Sequence, residues 1–218
     1  MNTMEQAKKN RKLKDIVRTQ GFSKAFDKMA NHTVNTSHEA KILTERFDKN
    51  LAFSVFYGND YSVDASFPLY HFAEDGSSIG KSMWRDSYSV TENFKPILDI
   101  HTHPVMNFNP IYDENTFKFS HADIENFASN DEGISGIVLP YNTQKGIKAI
   151  SLLWRPYEVL EDFVVDRVFE KCLNSANPIW ETLSEYGQAA VVNFEFRDGL
   201  WQPRENQLGR LEVFDSKP

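Results

Sequence analysis

The sequence predicts one domain, or one domain with an appendage, of α/β or α+β class. Three observations predict it. A chain of 218 residues with 40% hydrophobic and 13% aromatic side chains can bury a sizeable core. Short runs of strand character ("KPILDI", "GISGIVLPYN", "IKAISLLWRP") alternate with stretches of helical spacing. No internal repeat or low-complexity linker divides the chain.

In order, residues 4–30 read as helical with a break near Gly21, and Leu13, Ile16, Val17, Phe22 and Phe26 form one apolar side. Glu39–Phe47 reads as a strand, Asp48-Lys49-Asn50 as a turn and Leu51–Tyr57 as the returning strand; helix continuing through Phe47 is the alternative. "SVDASFPLYHF" is a further strand, and the polar stretch from "AEDGSSIG" to Phe94 is loop. "KPILDI" is a short buried strand that delivers His101 and His103. "SHADIENFASND" is a helix with Ser120 as N-cap and Asp123 at its third position. Two strands follow around the turn "TQKG". From Tyr157 to Leu173 the positions Leu160, Phe163, Val164, Val168 and Cys172 have helical spacing. A short helix starts at Pro178. "AAVVNFEF" and "GLWQ" form a terminal hairpin around Arg197-Asp198-Gly199.

Composition excludes several classes. No apolar run approaches the ~20 residues that span a bilayer, and the first residues lack the apolar segment of a secretion signal. Cys172 is the only cysteine, so there is no intrachain disulfide and no cysteine-based zinc knuckle. The expected location is cytoplasmic. Residues 1–31 carry eight Lys/Arg against Glu5, Asp15 and Asp27, a local charge of +5, which leaves −12 for the rest of a chain whose total is −7. An acidic body argues against nucleic-acid binding by field alone. The basic arm is the solvated face of a helix, or a contact for an anionic partner.

The chemistry concentrates in "PILDIHTHPVMNFNP". Alternate strand residues face the same side, so His101 and His103 present two imidazoles together and Thr102 faces away. Imidazole nitrogen is a common zinc ligand. A third ligand is needed, and Asp123, on the next helix, is the candidate. Two histidines, a carboxylate and a water make a four-coordinate catalytic zinc with an open position. Two ordinary strand histidines are the bland alternative.

With "HTHP" and "FSHADIENF" the chain resembles the JAMM/MPN (JAB-type) zinc metalloproteases. Their motif is a Glu, then His-x-His-Pro, then Ser-x-x-Asp opening a helix. "HTVNTSHEAKILTERFDKNLAFSVFYG" resembles the stretch that carries the family's Glu, with Glu39 lying 62 residues before His101. The likeness extends over residues 25–155. It implies a cytidine-deaminase-like MPN fold, a curved mixed β-sheet flanked by helices. It implies that His101, His103 and Asp123 hold Zn2+ and that Glu39 moves a proton from water to the leaving amine. It also implies that the Ser120 hydroxyl donates to the developing oxyanion, with plain N-capping as the rival role. The implied reaction is hydrolysis of an amide or isopeptide bond by a zinc-activated water, in a peptide or a ubiquitin-like protein conjugate; neither nucleic acid nor membrane is expected as a partner. The chain then divides into a basic helical extension (1–24), a metallohydrolase core (25–156) and C-terminal helices and hairpin that pack on or extend it (157–218). The likeness has departures. Nineteen residues separate His103 from Asp123, more than is usual, so 105–119 reads as a loop insertion. Lys41 and Ile42 stand where the family has glycines.

Other residues have expected places. Glu45 and Glu74 are the fallback bases. Asp99, on the His101 face, is a candidate outer partner of the metal site, or a metal ligand under the Asp-x-His-x-His reading below. His121 points away, and His32 and His71 are surface or packing residues. Trp154, Trp180 and Trp201 serve the core. Phe108, Tyr112, Phe117 and Phe119 would line a peptide groove if they lie beside the zinc. Two competing functions remain. "ILDIHTHP" also resembles the Asp-x-His-x-His strand of amidohydrolases and PHP-type phosphoesterases, although only 115 residues follow His103, too few for a barrel of ~250. The other is an MPN-like scaffold that binds partners without turnover.

Overall fold

A computed structural model of the chain describes residues 12–47, 50–58, 68–79, 97–104, 117, 119–129 and 133–216. One eight-stranded mixed sheet, flanked by helices on both faces, organises them. The strands are β1 (Ala40–Phe47), β2 (Asn50–Tyr57), β3 (Tyr70–Ala73), β4 (Leu98–Thr102), β5 (Ile134–Thr143), β6 (Gly146–Pro156), β7 (Gly187–Arg197) and β8 (Leu200–Pro203). Their order in space is β3-β2-β1-β4-β5-β6-β7-β8. Only β4 and β5 run parallel; every other pair is antiparallel. Both β3 and β8 are edges, so the described sheet is not the closed parallel barrel of the amidohydrolase and PHP-type reading.

The helices are α1 (Leu13–Ile16), α2 (Gln20–Thr36), α3 (His121–Ala128), α4 (Asp162–Asn174) and α5 (Ile179–Ser184), followed by a 3-10 segment at Glu205–Asp215. Strand periodicity sorts the core into two layers. Ile42, Phe53, Val55, Ile100, Val138, Leu153 and Val192 face α2 with Phe22, Phe26 and Met29. Ile137, Leu139, Leu152, Trp154 and Val191 face α3, α4 and α5 with Ile124, Val165, Val168 and Leu183. A sheet covered on both faces explains why β2, β5 and β6 read as nearly continuous apolar runs.

Several boundaries depart from expectation. The helical break lies at Val17–Thr19, not Gly21: Thr19 caps α2 by accepting from the Phe22 amide at 3.1 Å. Gly21 sits inside α2 because the helix rides against β3; a Cβ there would stand 2.1 Å from the Ala73 carbonyl oxygen and 2.7 Å from the Phe53 ring. The same helix runs through residues 24 and 25. Strand β1 starts at Ala40, one residue after Glu39, and Asn50 pairs with Phe47 as the first residue of β2. Residues 48–49, the first part of "SVDASFPLYHF" and most of the polar stretch to Phe94 lie outside the described residues. Helix α4 begins at Asp162 and buries Val165 rather than Phe163, which is 60% exposed. Pro178 is the N-cap of α5, not its first helical residue. The 3-10 segment after β8 was not anticipated; buried Arg155 holds its end, donating to the carbonyls of Phe214 and Ser216 at 3.1 and 2.6 Å. Cys172 is buried, which pushes its thiol up to about 11.

A buried polar group lies on the α3-side face of β1–β3. Ser54 Oγ stands 2.7 Å from His71 Nδ1 and also hydrogen-bonds Glu45. A hydroxyl has one proton, so with Glu45 ionised Ser54 donates to it and accepts from His71. Burial holds the His71 imidazole down at about 4 and pushes the Glu45 carboxyl up.

Two outcomes follow from these contacts. Gly21→Ala is expected to destabilise the fold by about 1–3 kcal/mol, the range for overpacking; an unchanged thermal midpoint would mean that α2 can move off β3. For His71, the unfolded chain takes up a proton near pH ~6.5 while the folded one resists until about 4. Stability from keeping it neutral is therefore complete above ~6.5 and is lost as pH falls from there to about 4. His71→Gln should flatten the fall of the urea midpoint across that window, with Glu45 common to both proteins. Parallel curves for the two proteins would uncouple His71 from acid unfolding.

Candidate metal and catalytic site

The site forms where three segments meet at one end of the sheet. In β4 the alternation is regular: Leu98, Ile100 and Thr102 are buried, while Asp99 and His101 are partly open. His101 therefore points to the α3 side of the sheet. His103, one residue past the strand, is held by its amide donating to the Val138 carbonyl at 3.0 Å, which continues the ladder with β5. Strand β1 pairs with the other side of β4, Lys41 opposite His101, so residues just before β1 lie beside the end of β4. Helix α3 presents its first turn to the same place.

The geometry is compact. His101 Nε2 and His103 Nε2 are 3.0 Å apart. Asp123 Oδ1 is 3.0 Å from His101 Nε2, and Oδ2 is 3.6 Å from His103 Nε2. Glu39 Oε1 is 3.9 Å from His103 Nε2. The Phe127 ring, 5.8 Å from that of His101, forms one wall. Donor atoms around a four-coordinate zinc with ~2.0–2.1 Å bonds stand about 3.3 Å apart. With Oδ1 as the carboxylate donor, both distances at His101 Nε2 are 3.0 Å and one donor atom from each residue lies within 4.8 Å of the others, a cluster that suits a single small cation. His101, His103 and Asp123 form the one such group among the described residues.

The two carboxylates are pushed apart. Burial works against ionisation of Asp123, but hydrogen bonds and charge from His101 and His103 outweigh it and hold the carboxyl well below the usual range. For Glu39 burial prevails: it raises the carboxyl above its ordinary value, aided by the Asp123 charge and only partly offset by His103 and His101.

Ser120 is committed to the helix start and to the candidate ligand Asp123 together. Its hydroxyl accepts from the Asp123 amide at 3.2 Å and donates to Asp123 Oδ2 at 2.8 Å. Its own amide donates to the same Oδ2 at 2.6 Å, completing a capping box. Oδ2 is thus held from two sides, and Oδ1 is turned to His101.

Of the fallback bases, Glu45 is buried with Ser54, and Glu74 lies in the turn after β3, its carboxylate accepting from the Leu51 amide at 3.4 Å. Ala52 of β2 pairs with both Glu45 and Ala73, so the two carboxylates belong to the opposite end of the β1–β3 sheet from Glu39. Asp99 shares the His101 face but pairs with Lys41 at 2.8 Å, and its other oxygen is buried with no hydrogen bond among the described residues. His121 turns away to Asp166 at 2.8 Å. His32 stacks on Tyr57. His71 belongs to the buried group above. Trp154 and Trp201 are core residues, and Trp180 packs at its margin. Phe117 and Phe119 are buried with Phe127, so they serve the core rather than an open groove. Phe108, Tyr112 and the rest of 105–116 lie outside the described residues. Sequence reasoning missed the Lys41–Asp99 pair and the Phe127 wall. A signal existed for Phe127, which is four after Asp123 on a helix; the Lys41–Asp99 pair crosses between strands and had none.

Comparison of the chain with protein-family models, with curated proteins and with solved structures finds no match.

Ser120→Ala separates the two roles of that residue. Loss of the hydroxyl should remove about 1 kcal/mol of capping and, by releasing Asp123 Oδ2, weaken zinc binding by about tenfold or more. A chelator-competition titration and a thermal melt measure both. Unchanged zinc affinity with a large loss of turnover would instead assign the hydroxyl to the oxyanion.

Proposed function

We propose that this chain is a zinc-dependent hydrolase of the JAMM/MPN type that cleaves an amide or isopeptide bond. The observation that carries the reading is the convergence of Glu39, His101, His103 and Asp123, from three separate segments, with donor spacings that suit one divalent cation. Bound there, zinc would supply Lewis-acid chemistry and make water a nucleophile near neutral pH.

The chain's own residues have separable tasks. His101 and His103 supply neutral lone pairs, and Asp123 supplies the negative charge that offsets the cation. Glu39 is not needed as a ligand. Partly buried, with its carboxyl raised, it is the group that accepts the proton of the attacking water. As the C–N bond breaks, Glu39 returns that proton to the departing amine. Ser120 in this reading orients Asp123; donating to an oxyanion requires its hydroxyl to leave Oδ2 first.

We also assign the sheet to the cytidine-deaminase-like MPN arrangement. Supporting it are the long helix α2 ahead of the β1–β2 hairpin, the antiparallel β1–β4 pair and the parallel β4–β5 pair linked through α3. The substrate class in this reading is a peptide or a ubiquitin-like protein conjugate.

The expected metal content is about one zinc per chain, and His101→Ala/His103→Ala should abolish it; full occupancy in that double variant, by elemental analysis, would discard the site. Glu39→Gln should keep zinc and fold but lose at least about 100-fold in turnover of an internally quenched peptide library or an isopeptide-linked conjugate. Wild-type turnover in that variant would move the base to another carboxylate, and Gln variants at 45 and 74 would locate it.

A further inference from the structure

We infer that Thr102, the residue between the two imidazoles, is a positioning residue for Glu39: its hydroxyl clamps the Glu39–Ala40 peptide and so aims the Glu39 carboxylate at the histidines. The inference rests on the reading of Glu39 as the base.

Thr102 points away from the site, under α2, and is fully buried. Its Oγ1 accepts from the Ala40 amide at 2.8 Å, lies 3.2 Å from the Ala40 carbonyl and is 2.5 Å from Thr33 Oγ1 of α2. These contacts sit where the β1–β4 ladder ends. The last registered pair is Lys41 with His101, and Ala40 would be next, opposite Thr102. A side-chain hydroxyl thus takes over where backbone pairing stops.

The Ala40 N–H and the Glu39 C=O belong to one peptide plane. Its N–H end is bound by Thr102, and its C=O end accepts from the Gly58 amide at 2.9 Å. With both poles held, rotation of that plane is blocked, and the direction in which the Glu39 side chain leaves the backbone is set. That direction brings its carboxylate to 3.9 Å from His103. Since Thr102 is covalently joined to both His101 and His103, the base and the two ligands share one reference point. Thr33 completes the arrangement. A hydroxyl has one proton and two acceptor sites, and Thr33 gives the Thr102 hydroxyl a partner that leaves a lone pair for the Ala40 amide.

The test uses the full chain loaded with cobalt(II), as wild type, Glu39→Gln, Thr102→Val and Thr102→Ser. The readouts are amide hydrogen exchange at Ala40 relative to Ile42, and the visible spectrum of the bound cobalt. In Thr102→Val, Ala40 protection is expected to fall at least tenfold relative to Ile42. Its cobalt spectrum should shift toward that of Glu39→Gln with metal stoichiometry unchanged, and Thr102→Ser should restore both. A purely structural role would lower the thermal midpoint without this local and spectral signature. If Thr102→Val does not fold, Thr33→Val/Thr102→Val takes its place, because it leaves no hydroxyl unpaired between helix and strand. Wild-type Ala40 protection in the Val variant, or a Val-like signature that persists in the Ser variant, overturns the inference. Cobalt spectra that separate wild type from Glu39→Gln while the Val variant matches wild type also overturn it and leave the hydrolase reading standing. A wild-type protein that binds no cobalt removes that reading, and the positioning role toward a base falls with it.

Discussion

Strand β4 pairs antiparallel with β1 on one side and parallel with β5 on the other, and the position of the site follows from that. An antiparallel neighbour starts where β4 ends, so residues just before β1 lie next to His101 and His103. A parallel neighbour starts where β4 starts, so the chain must return across a sheet face before β5 can begin. Helix α3 lies in that return, and its N-terminal turn stands at the end of β4. Glu39, the two histidines and Asp123 are far apart in sequence, and this one strand placement gathers them. The hydrophobic layer beneath α3, with Ile124 and Phe127 packed on Ile137 and Leu139, holds the helix in register.

Placing two carboxylates beside two imidazoles in a partly buried pocket makes their protonation interdependent. Burial opposes charge on both acids. Asp123 overcomes it because hydrogen bonds and charge from both histidines favour its charged form; for Glu39 the same histidines offset burial only in part. The result is one carboxyl held low and one held high. A ligand for a cation must be ionised at working pH, and a proton acceptor works best when its affinity approaches that of its partners. Asp123 lies 3.0 Å from His101 and 3.6 Å from His103, and Glu39 3.9 Å from His103; the acid nearer the imidazoles is the one held low.

Much of this was legible in the sequence, because the periodicities that reveal a strand or a helix also decide which side chains share a face. His101 with His103 follows from a period of two, and Ser120 with Asp123 from helix-start chemistry. The hairpin after Glu39, both long strands "GISGIVLPYN" and "IKAISLLWRP", and the C-terminal hairpin were likewise readable. What was not legible depends on contacts across elements. Gly21 looks like a helix breaker, yet it lies within α2 because β3 comes too close for a side chain. Phe163 fits the helical spacing as well as Val165 does, and only the packing direction of α4 decides between them. Phe117 and Phe119 look like groove residues by position, and the core claims them. The partner of Asp99 was misjudged because Lys41 reaches it from the neighbouring strand, a cross-strand pair that a single strand cannot announce.

The Ser-x-x-Asp element shows why fold and chemistry are hard to separate here. A helix start leaves backbone amides without partners, and a capping box answers that need with a serine and an acid three residues on. The same acid has two oxygens. Because Oδ2 accepts from both the amide and the hydroxyl of Ser120, its orientation is set by the helix terminus itself, without any group recruited from elsewhere. Oδ1 is then delivered to the imidazoles at no further cost in side-chain freedom, since the rotamer is already fixed by the cap. A cation bound at Oδ1 would reinforce the same rotamer. A metal bound there would therefore link its own affinity to the stability of the first turn of α3: whatever loosens the cap would also loosen Asp123, and a loaded site would protect the helix start from fraying.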